Sequence, residues 1–497
     1  MPPPTTNPSA TPSPQPRAPR NPYLDVFANR RIAAMLLLGF ASGLPLALSA
    51  GSLQAWLTVE GVDIATIGFF ALAGLPYTFK FVWAPLVDRF EPPGLGRRRG
   101  WLVLTQIGLA LACLVMSGLD PGRSVMAMGV CAVAIAFLSA SQDVAFDAYR
   151  SDLLGDRERG AGAAVSVLGY RLAMLVSGGL ALILADQWLG WPGTYRLMAA
   201  LFALMAVVSA FSPRVAPAQG VASDVRRELV GFVSMLVAGG VVWFALRALP
   251  WGALEADRFG RLAVLSFCLL ASFAAALKAA RWAGFPSFIA PWDAFFSRDR
   301  AVALLALIVL YKLGDAFAGT LSTAFLIRGA GFSQTEVGAV NKVLGLGATI
   351  VGALAGGAWL ARHPLYTALM VFGVLQAVSN LGYWLLSVAP KNFTLMAAAI
   401  GLENLCGGMG TAAFVAFLMA LTDRRFSAAQ FALLSALAAV GRVYVGPAAG
   451  VMVEALGWPT FFMWTVVAAL PGLLLLRWLR RTIDTLSRPA GSSEETT

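Results

Sequence analysis

Residues 301–326 read AVALLALIVLYKLGDAFAGTLSTAFL, a stretch in which only Lys312 and Asp315 are charged. A helix of about 20 apolar residues crosses the hydrocarbon core of a bilayer, so this stretch is long enough to span a membrane. A charged residue at bilayer depth costs at least about 2.5 kcal/mol, and such residues usually line the path of a substrate or an ion. The stretch therefore predicts a transmembrane helix of a transporter.

The composition of the whole chain agrees with a membrane protein. Of the 497 residues, 58% are hydrophobic and 13% are charged, and the mean hydropathy is +0.72, outside the range of soluble globular proteins. We predict an all-α integral membrane protein with fourteen spans. The predicted segments are a disordered Pro-rich cytoplasmic tail (1–30), an N-terminal six-helix bundle (31–215), a linker with two additional transmembrane helices (216–299), a C-terminal six-helix bundle (300–483) and a disordered cytoplasmic tail (484–497).

The distribution of basic residues predicts the orientation of the chain. Lys and Arg concentrate in alternate loops, as at Arg97–Arg99, whereas the opposite loops carry acidic residues such as Glu60 and Asp63. Basic loops stay in the cytoplasm, so both termini are predicted to be cytoplasmic. The net charge of +11 follows from these flanking residues, which form no groove interleaved with exposed aromatics, and we predict no nucleic-acid partner.

Other residue patterns exclude several function classes. Cys113, Cys131, Cys268 and Cys406 lie in separate predicted spans without Cys-x-x-Cys spacing, which argues against disulfides and a metal site. The only histidine, His363, is predicted in a loop. No phosphate-binding loop or hydrolase motif is present. We therefore predict that the protein is not an enzyme, that it has no bound cofactor, and that its energy source lies outside the chain.

An internal repeat predicts the architecture. Residues 51–57 (GSLQAWL) resemble 319–326 (GTLSTAFL), and a glycine, Gly68 or Gly338, opens the helix that follows each. Residues 139–149 likewise align without gaps to 407–417. Two homologous six-helix halves related along the membrane normal are typical of major facilitator transporters.

Longer motifs resemble a particular family. Residues 80–89 (KFVWAPLVDR), followed by Arg97–Arg99, resemble the major facilitator signature between the second and third helices, with Pro85 at the usual glycine position. Five further motifs resemble the muropeptide permeases of the AmpG type: QDVAFDA (142–148), ERGAGAAVSVLGYR (158–171), YKLGDAF (311–317), FLIRGAGF (325–332) and VGAVNK (337–342). The resemblance extends from about Arg31 to about Trp478.

This resemblance implies a transporter of the bacterial inner membrane that is driven by the proton gradient. The implied substrates are N-acetylglucosaminyl-1,6-anhydro-N-acetylmuramyl peptides, imported from the periplasm for peptidoglycan recycling and beta-lactamase induction. Two additional helices between the halves are also a feature of the family. The implied partners are the muropeptide, protons and membrane lipids, and a monomer is expected.

The candidate site residues are polar groups within apolar spans. Such a substrate carries carboxylates, an amino group, amides and hydroxyls, so its site needs groups of both charge signs. Lys312 and Asp315 share one helix face and are predicted either to bind the peptide or to carry the proton, with a structural ion pair as the alternative. The other candidates for substrate binding or proton coupling are Gln142, Asp143, Arg171, Glu403, Asn404 and Arg442. For Glu403 the alternative is a structural carboxyl group.

Charged residues nearer the predicted cytoplasmic ends are assigned to a gating or structural network. These are Lys80, Asp88, Arg89, Asp147 and Arg150. Asp143, Asp147 and Arg150 are spaced by four and three residues and so share one helix face.

Two other functions remain open at this point. An acetyl-CoA carrier of a related family would need a strongly basic cavity for phosphates, whereas the deep residues here are mixed in sign. A membrane sensor that binds muropeptide without transporting it is the alternative from a different class. A membrane-embedded acyltransferase is less well supported because no histidine lies within a span.

Overall fold

The computed structural model of the protein describes residues 30–89, 91–154, 159–215, 225–360, 362–422 and 427–486. Within these residues the regular secondary structure is helical and includes no strand, which confirms the all-α prediction. The predicted tails at residues 1–29 and 487–497 and the linker residues 216–224 lie outside the described part of the chain.

The first half consists of helices that run back and forth across the bundle. They are α1 (Arg30–Leu48), α2 (Gly51–Val59), α3 (Ile64–Phe69), α4 (Leu75–Arg89), α5 (Arg97–Ser117), α6 (Val125–Leu153), α7 (Arg159–Leu175), α8 (Ala181–Leu184) and α9 (Gly190–Phe211). A 3-10 turn (Phe70–Gly74) joins α3 to α4, and π turns (Val176–Leu180 and Ala185–Leu189) flank α8. The additional segment follows as α10 (Val225–Arg247), α11 (Arg258–Trp282) and the short α12 (Pro286–Phe296).

The second half follows the same order as the first. Its helices are α13 (Ala301–Tyr311), α14 (Leu313–Thr320), α15 (Ser322–Ala324), α16 (Gln334–Ala339), α17 (Gly345–Leu360), α18 (Leu365–Val388), α19 (Phe393–Ala420), α20 (Ser427–Trp478) and α21 (Arg480–Leu486). A π turn (Phe325–Gly329) follows α15, and another (Val340–Leu344) joins α16 to α17. Helix α21 continues past the predicted boundary at residue 483.

Helix lengths are those of a multi-pass membrane protein. Ten helical stretches in the described residues are long and apolar enough to cross a bilayer, and Ile64–Lys80 and Gly345–Leu360 are shorter apolar helices. The two longest stretches hold 47 and 46 residues and pass through Gly190 and Gly457. These glycines have φ of 61° and 75°, which other residues rarely adopt, so the chain turns there. The count of fourteen spans stays a prediction.

The first helical segment breaks between α1 and α2, and the break is stabilised by side chains from the same half. The Tyr195 hydroxyl donates to the carbonyl of Leu48 at 2.7 Å. Trp56, in α2, stacks on Trp191 with ring centroids 6.0 Å apart. Buried aromatic packing and a satisfied carbonyl allow this helix to be interrupted inside an apolar bundle.

The two halves are in close contact at the end of the bundle opposite Arg30 and Leu486, which we call the closed end. There a Cβ on Gly68 would overlap the carbonyl oxygen of Gly446, and a Cβ on Gly338 would lie 2.9 Å from the carbonyl oxygen of Gly179. Each contact joins one half to the other, backbone against backbone. Gly68 and Gly338 are the glycines that the repeat predicts to be equivalent, and the structure places them in equivalent contacts.

The start of α16 at the closed end is fixed by a capping box. The Ser333 hydroxyl accepts from the Glu336 amide at 3.1 Å, and the Glu336 carboxylate accepts from the Ser333 amide at 2.7 Å. Lys391 donates to the same carboxylate at 3.0 Å. The bond from the Ser333 amide and that from Lys391 lower the pKa of Glu336. The contribution of this box to stability is therefore retained as the pH falls to the ordinary glutamate pKa of about 4.3, and is lost only below it.

The additional segment packs against both halves through one apolar cluster, which we call the hairpin cluster. Its buried members are Phe232 and Met235 from α10, Ala280 from α11, Phe285 and Trp292 near α12, and Leu433 from α20, with Val82 of α4 packed against them. The cluster thus contacts α4 of the first half and α20 of the second.

The glycine contacts at the closed end lead to a stability prediction. We expect Gly68→Ala to lower the apparent melting temperature of the purified protein, because overpacking typically costs about 1–3 kcal/mol. Gly347→Ala is the control, since a Cβ there has open space around it, and it should melt like the parent. Equal melting temperatures for all three proteins would contradict the packing described here.

Candidate functional site

Lys312 lies at a break in the transmembrane helix predicted for residues 301–326. Helix α13 ends at Tyr311 and α14 begins at Leu313, and Lys312 between them has φ −96° and ψ 5°. A second break follows at Leu321, with φ −112° and ψ 12°. Backbone groups released by such breaks need new partners, and Thr320 provides an example, because its carbonyl accepts from Gln54 of the first half at 2.6 Å.

The Lys312 ammonium has three oxygen neighbours. Its Nζ lies 3.4 Å from the Asp315 carboxylate, 3.4 Å from Gln376 Oε1 and 3.4 Å from Thr411 Oγ1. Hydrogen bonds from nitrogen to oxygen are usually 2.7–3.2 Å long, so all three contacts are long. The ammonium is surrounded by acceptors but tightly held by none of them, which leaves it able to bind another anion.

Glu403 is close enough to Lys312 for their charges to interact, and Asn404 contacts Glu403. Asn404 Nδ2 donates to the Glu403 carboxylate at 2.9 Å, and Asn404 Oδ1 accepts from Thr349 at 3.0 Å. The charges of Lys312 and Asp315 both act on Glu403. We call Lys312, Asp315, Gln376, Glu403 and Asn404 the Lys312 cluster.

The net charge of this cluster depends on one proton. Lys312 faces two carboxyl groups, so with both ionised the three side chains carry one net negative charge. Uptake of one proton makes them neutral. An uncompensated charge inside a membrane protein is costly, and the neutral form of the cluster avoids that cost.

Gln376, Asn380 and Thr411 were not among the residues singled out from the sequence. Gln376 and Asn380 are 4% and 0% exposed, and the structure shows no partner for Gln376 Nε2 or Asn380 Oδ1 among the residues it describes. Their spacing of four in the apolar α18 was the available signal, since it puts both amides on one helix face. The contact of Thr411 with Lys312 depends on helix packing and had no sequence signal.

The first half carries a second set of polar groups around Asp143. Ser42 Oγ donates to the Asp143 carboxylate at 2.5 Å. Lys80 is near enough for its charge to act on Asp143. Gln142 points elsewhere: it is fully buried, and neither of its amide atoms has a partner among the described residues.

Charges from both halves meet around Tyr170. Asp143, Asp147, Arg171 and Arg442 all act electrostatically on its hydroxyl. Arg442 belongs to α20 of the second half, whereas the others belong to α6 and α7 of the first. The structure therefore brings the two predicted arginines to the same region between the halves.

The predicted gating residues lie toward the end that carries the termini. Arg150 donates to Asp147 at 3.0 Å and to Ser166 at 3.2 Å. Near the start of α5, Arg98 pairs with Asp152 at 2.7 Å. The side chains of the predicted gating residues Asp88 and Arg89 lie outside the described part of the structure. The assignment of this set to gating stays a prediction.

Several of these polar side chains are accessible to solvent. Asp147 has 56% of its side chain exposed and Asp315 27%, and both Arg442 and Thr411 are exposed. Charged side chains in membrane helices face a water-filled interior rather than lipid.

Comparison with known sequences gives close relatives. The profile of the family described as Acetyl-coenzyme A transporter 1 matches residues 31–189. The anhydromuropeptide permease of Escherichia coli strain K12 is 52% identical over 462 residues, which cover 93% of this chain and 82% of the permease. AmpG 4 of Rickettsia felis is 30% identical over 463 residues, 92% of this chain and 99% of that protein.

Solved structures share the fold at low identity. A variant of the peptide transporter POT in complex with sulfate gives a TM-score of 0.67 at 14% identity, covering 92% of this chain and 96% of that one. The nucleoside transporter NupG gives 0.61 at 11% identity, covering 91% and 100%. These likenesses concern the fold alone, and they confirm the predicted major facilitator architecture.

A double-mutant cycle separates the two interpretations of Lys312 and Asp315. We expect Lys312→Met to destabilise the protein by about 1–3 kcal/mol, because it leaves the carboxyl groups of Asp315 and Glu403 without a cation. Asp315→Asn should destabilise it less, because Glu403 still compensates the charge of Lys312. The double variant should have a higher apparent melting temperature than Lys312→Met, because only one carboxyl group then lacks a cation, yet it should remain inactive in transport. Arg123→Met is the control, since the exposed pair of Arg123 and Asp120 should contribute little. A double variant that transports normally would establish a purely structural pair.

Proposed function

This chain belongs to the anhydromuropeptide permease family of membrane transporters, and from that premise we propose that it imports N-acetylglucosaminyl-1,6-anhydro-N-acetylmuramyl peptides together with protons. The proposal rests above all on the 52% identity to the Escherichia coli permease over 93% of this chain. The protein is a transporter and not an enzyme, as are its relatives. The imported peptides would supply peptidoglycan recycling and beta-lactamase induction.

The chemistry of the site is compatible with such a substrate. The stem peptide offers carboxylates and an amino group. The interior offers Lys312 with Asp315 and Glu403 in one set of charged groups, and Arg171 and Arg442 around Tyr170 in another. The buried amides of Gln376 and Asn380 add Nε2 and Oδ1, which have no hydrogen-bond partner among the described residues. Groups of both charge signs suit a zwitterionic ligand better than a purely anionic one.

The orientation is inferred from the loop charges. If both termini are cytoplasmic in the inner membrane, the closed end faces the periplasm and the interior opens to the cytoplasm. The described arrangement is then the inward-facing state of a single chain that works by alternating access.

Protons provide the driving force in this proposal. We assign their uptake to the Lys312 cluster, because its carboxyl groups Asp315 and Glu403 share one ammonium. A proton bound from the periplasm would neutralise the cluster and be released once the site faces the cytoplasm.

A second candidate, transport of acetyl-CoA, is favoured by the profile match to residues 31–189. That match covers the first half alone. The phosphates of acetyl-CoA call for a basic site, whereas Asp143, Asp315 and Glu403 bring three carboxyl groups to the interior.

Uptake into proteoliposomes tests the proposal. Radiolabelled N-acetylglucosaminyl-anhydro-muramyl tetrapeptide should accumulate only with an inward proton gradient. Glu403→Gln or Asp315→Asn should abolish this accumulation. If one of these variants loses only proton coupling, it should still exchange labelled for unlabelled substrate across the membrane. Asp120→Asn, in an exposed loop, should behave like the parent protein.

The same preparation distinguishes the alternatives. Accumulation of labelled acetyl-CoA in place of the muropeptide would establish the second candidate. Tight binding of the muropeptide without accumulation under any gradient would refute import and identify a sensor.

A further inference from the structure

Two acidic residues occupy matching places in the two halves. Asp186 lies in the π turn that precedes Gly190, and Glu454 lies in α20 shortly before Gly457. Both glycines have positive φ and mark the point where a helix turns back. Both acids are therefore at the closed end, in the last turn of corresponding helices.

Each acid binds backbone N–H groups at the start of a helix in the other half. The Asp186 carboxylate accepts from the Thr335 amide at 3.1 Å and from the Thr335 hydroxyl at 2.6 Å. The Glu454 carboxylate accepts from the Ala65 amide at 2.9 Å. Thr335 and Ala65 are in the first turns of α16 and α3, where N–H groups have no partner within the helix and the helix dipole favours a negative charge.

The glycine contacts are next to these hydrogen bonds. Gly338 follows Thr335 by less than one helical turn and touches Gly179, which lies on the same helical segment as Asp186. Gly68 follows Ala65 in the same way and meets Gly446, on the helix of Glu454. In both places, a close backbone approach brings the carboxylate within reach of the opposite helix.

A third contact at this end has the opposite polarity. Arg328, in the second half, donates to the carbonyls of Thr58 and Val62 at 2.5 and 2.8 Å. Those carbonyls lie at and just beyond the end of α2, where the helix dipole favours a cation. At the closed end, a charged side chain of one half therefore binds the end of a helix in the other half at three places.

We propose that Asp186 and Glu454 are a matched pair of gate residues, each of which holds the closed end shut by binding the first turn of a helix in the opposite half. Alternating access requires both contacts to break in every cycle. When they break, water can hydrate the carboxylates and the freed N–H groups, so opening at this end does not leave buried polar groups unpaired. The pair therefore shifts the ratio of the closed to the open form at this end toward the closed form, together with the glycine contacts and Arg328.

Distances between spin labels test the proposal without any substrate. Labels at Arg123→Cys in the first half and Thr460→Cys in the second report opening of the closed end. Cys113, Cys131, Cys268 and Cys406 are buried, which limits background labelling. We expect Asp186→Ala or Glu454→Ala to raise the open-to-closed ratio about tenfold, and the double variant about a hundredfold. The double variant should then show a second, longer distance.

The matched variants make the outcome decisive. Glu255→Gln removes an acid whose partner, Arg247, belongs to the additional segment and should leave the distances unchanged. Asp186→Glu keeps the charge and should restore most of the closed form. If the alanine variants do not fold, Asp186→Asn with Glu454→Gln removes the charges at constant size. A folded double variant with the parent's distances would overturn the proposal, and so would equal opening in Glu255→Gln. Neither result depends on the uptake experiment, because no muropeptide is present.

Discussion

The structure depends on the cost of leaving a polar group without a partner in hydrocarbon. Each unsatisfied backbone group there costs several kcal/mol, so the chain forms helices wherever it meets lipid. At two of the described interruptions, a side chain from another helix satisfies a backbone carbonyl group. Tyr195 supplies a donor at the break after Leu48, and Gln54 supplies one near the break at Leu321. The breaks are therefore features of the interior, and the one at Lys312 sits where the cationic side chain meets its acceptors.

The same cost determines where charges are placed. In the middle of the bundle, Lys312 lies opposite two carboxyl groups, and Arg171 and Arg442 meet Asp143 around Tyr170. At the closed end, charged side chains bind helix termini, which are satisfied equally well by water. Deep charges are thus compensated by one another, whereas the charges at the closed end have solvent as an alternative partner.

Much of the fold could be predicted because it follows from local properties of the chain. Apolar runs, basic loops and charged residues within apolar runs can be recognised without knowing how the helices pack. They predicted a membrane transporter and most of the residues of its polar interior. The repeat predicted the equivalence of Gly68 and Gly338. Partners across helices were not predictable from one sequence: Ser42 is far from Asp143 in the chain, and Gln376 and Thr411 reach Lys312 only after three helices have packed. Which end is closed is likewise a property of the assembled halves.

The hairpin cluster has a consequence for the motion of the two halves. It touches α4 on one side and α20 on the other, so any rocking of the halves displaces one of its surfaces relative to the other. Its members Phe232, Met235, Phe285 and Leu433 are apolar, and apolar contact is non-directional. Such a surface can slide by small steps while its area of contact stays nearly constant. The additional segment can therefore stay in contact with both halves when they move relative to each other.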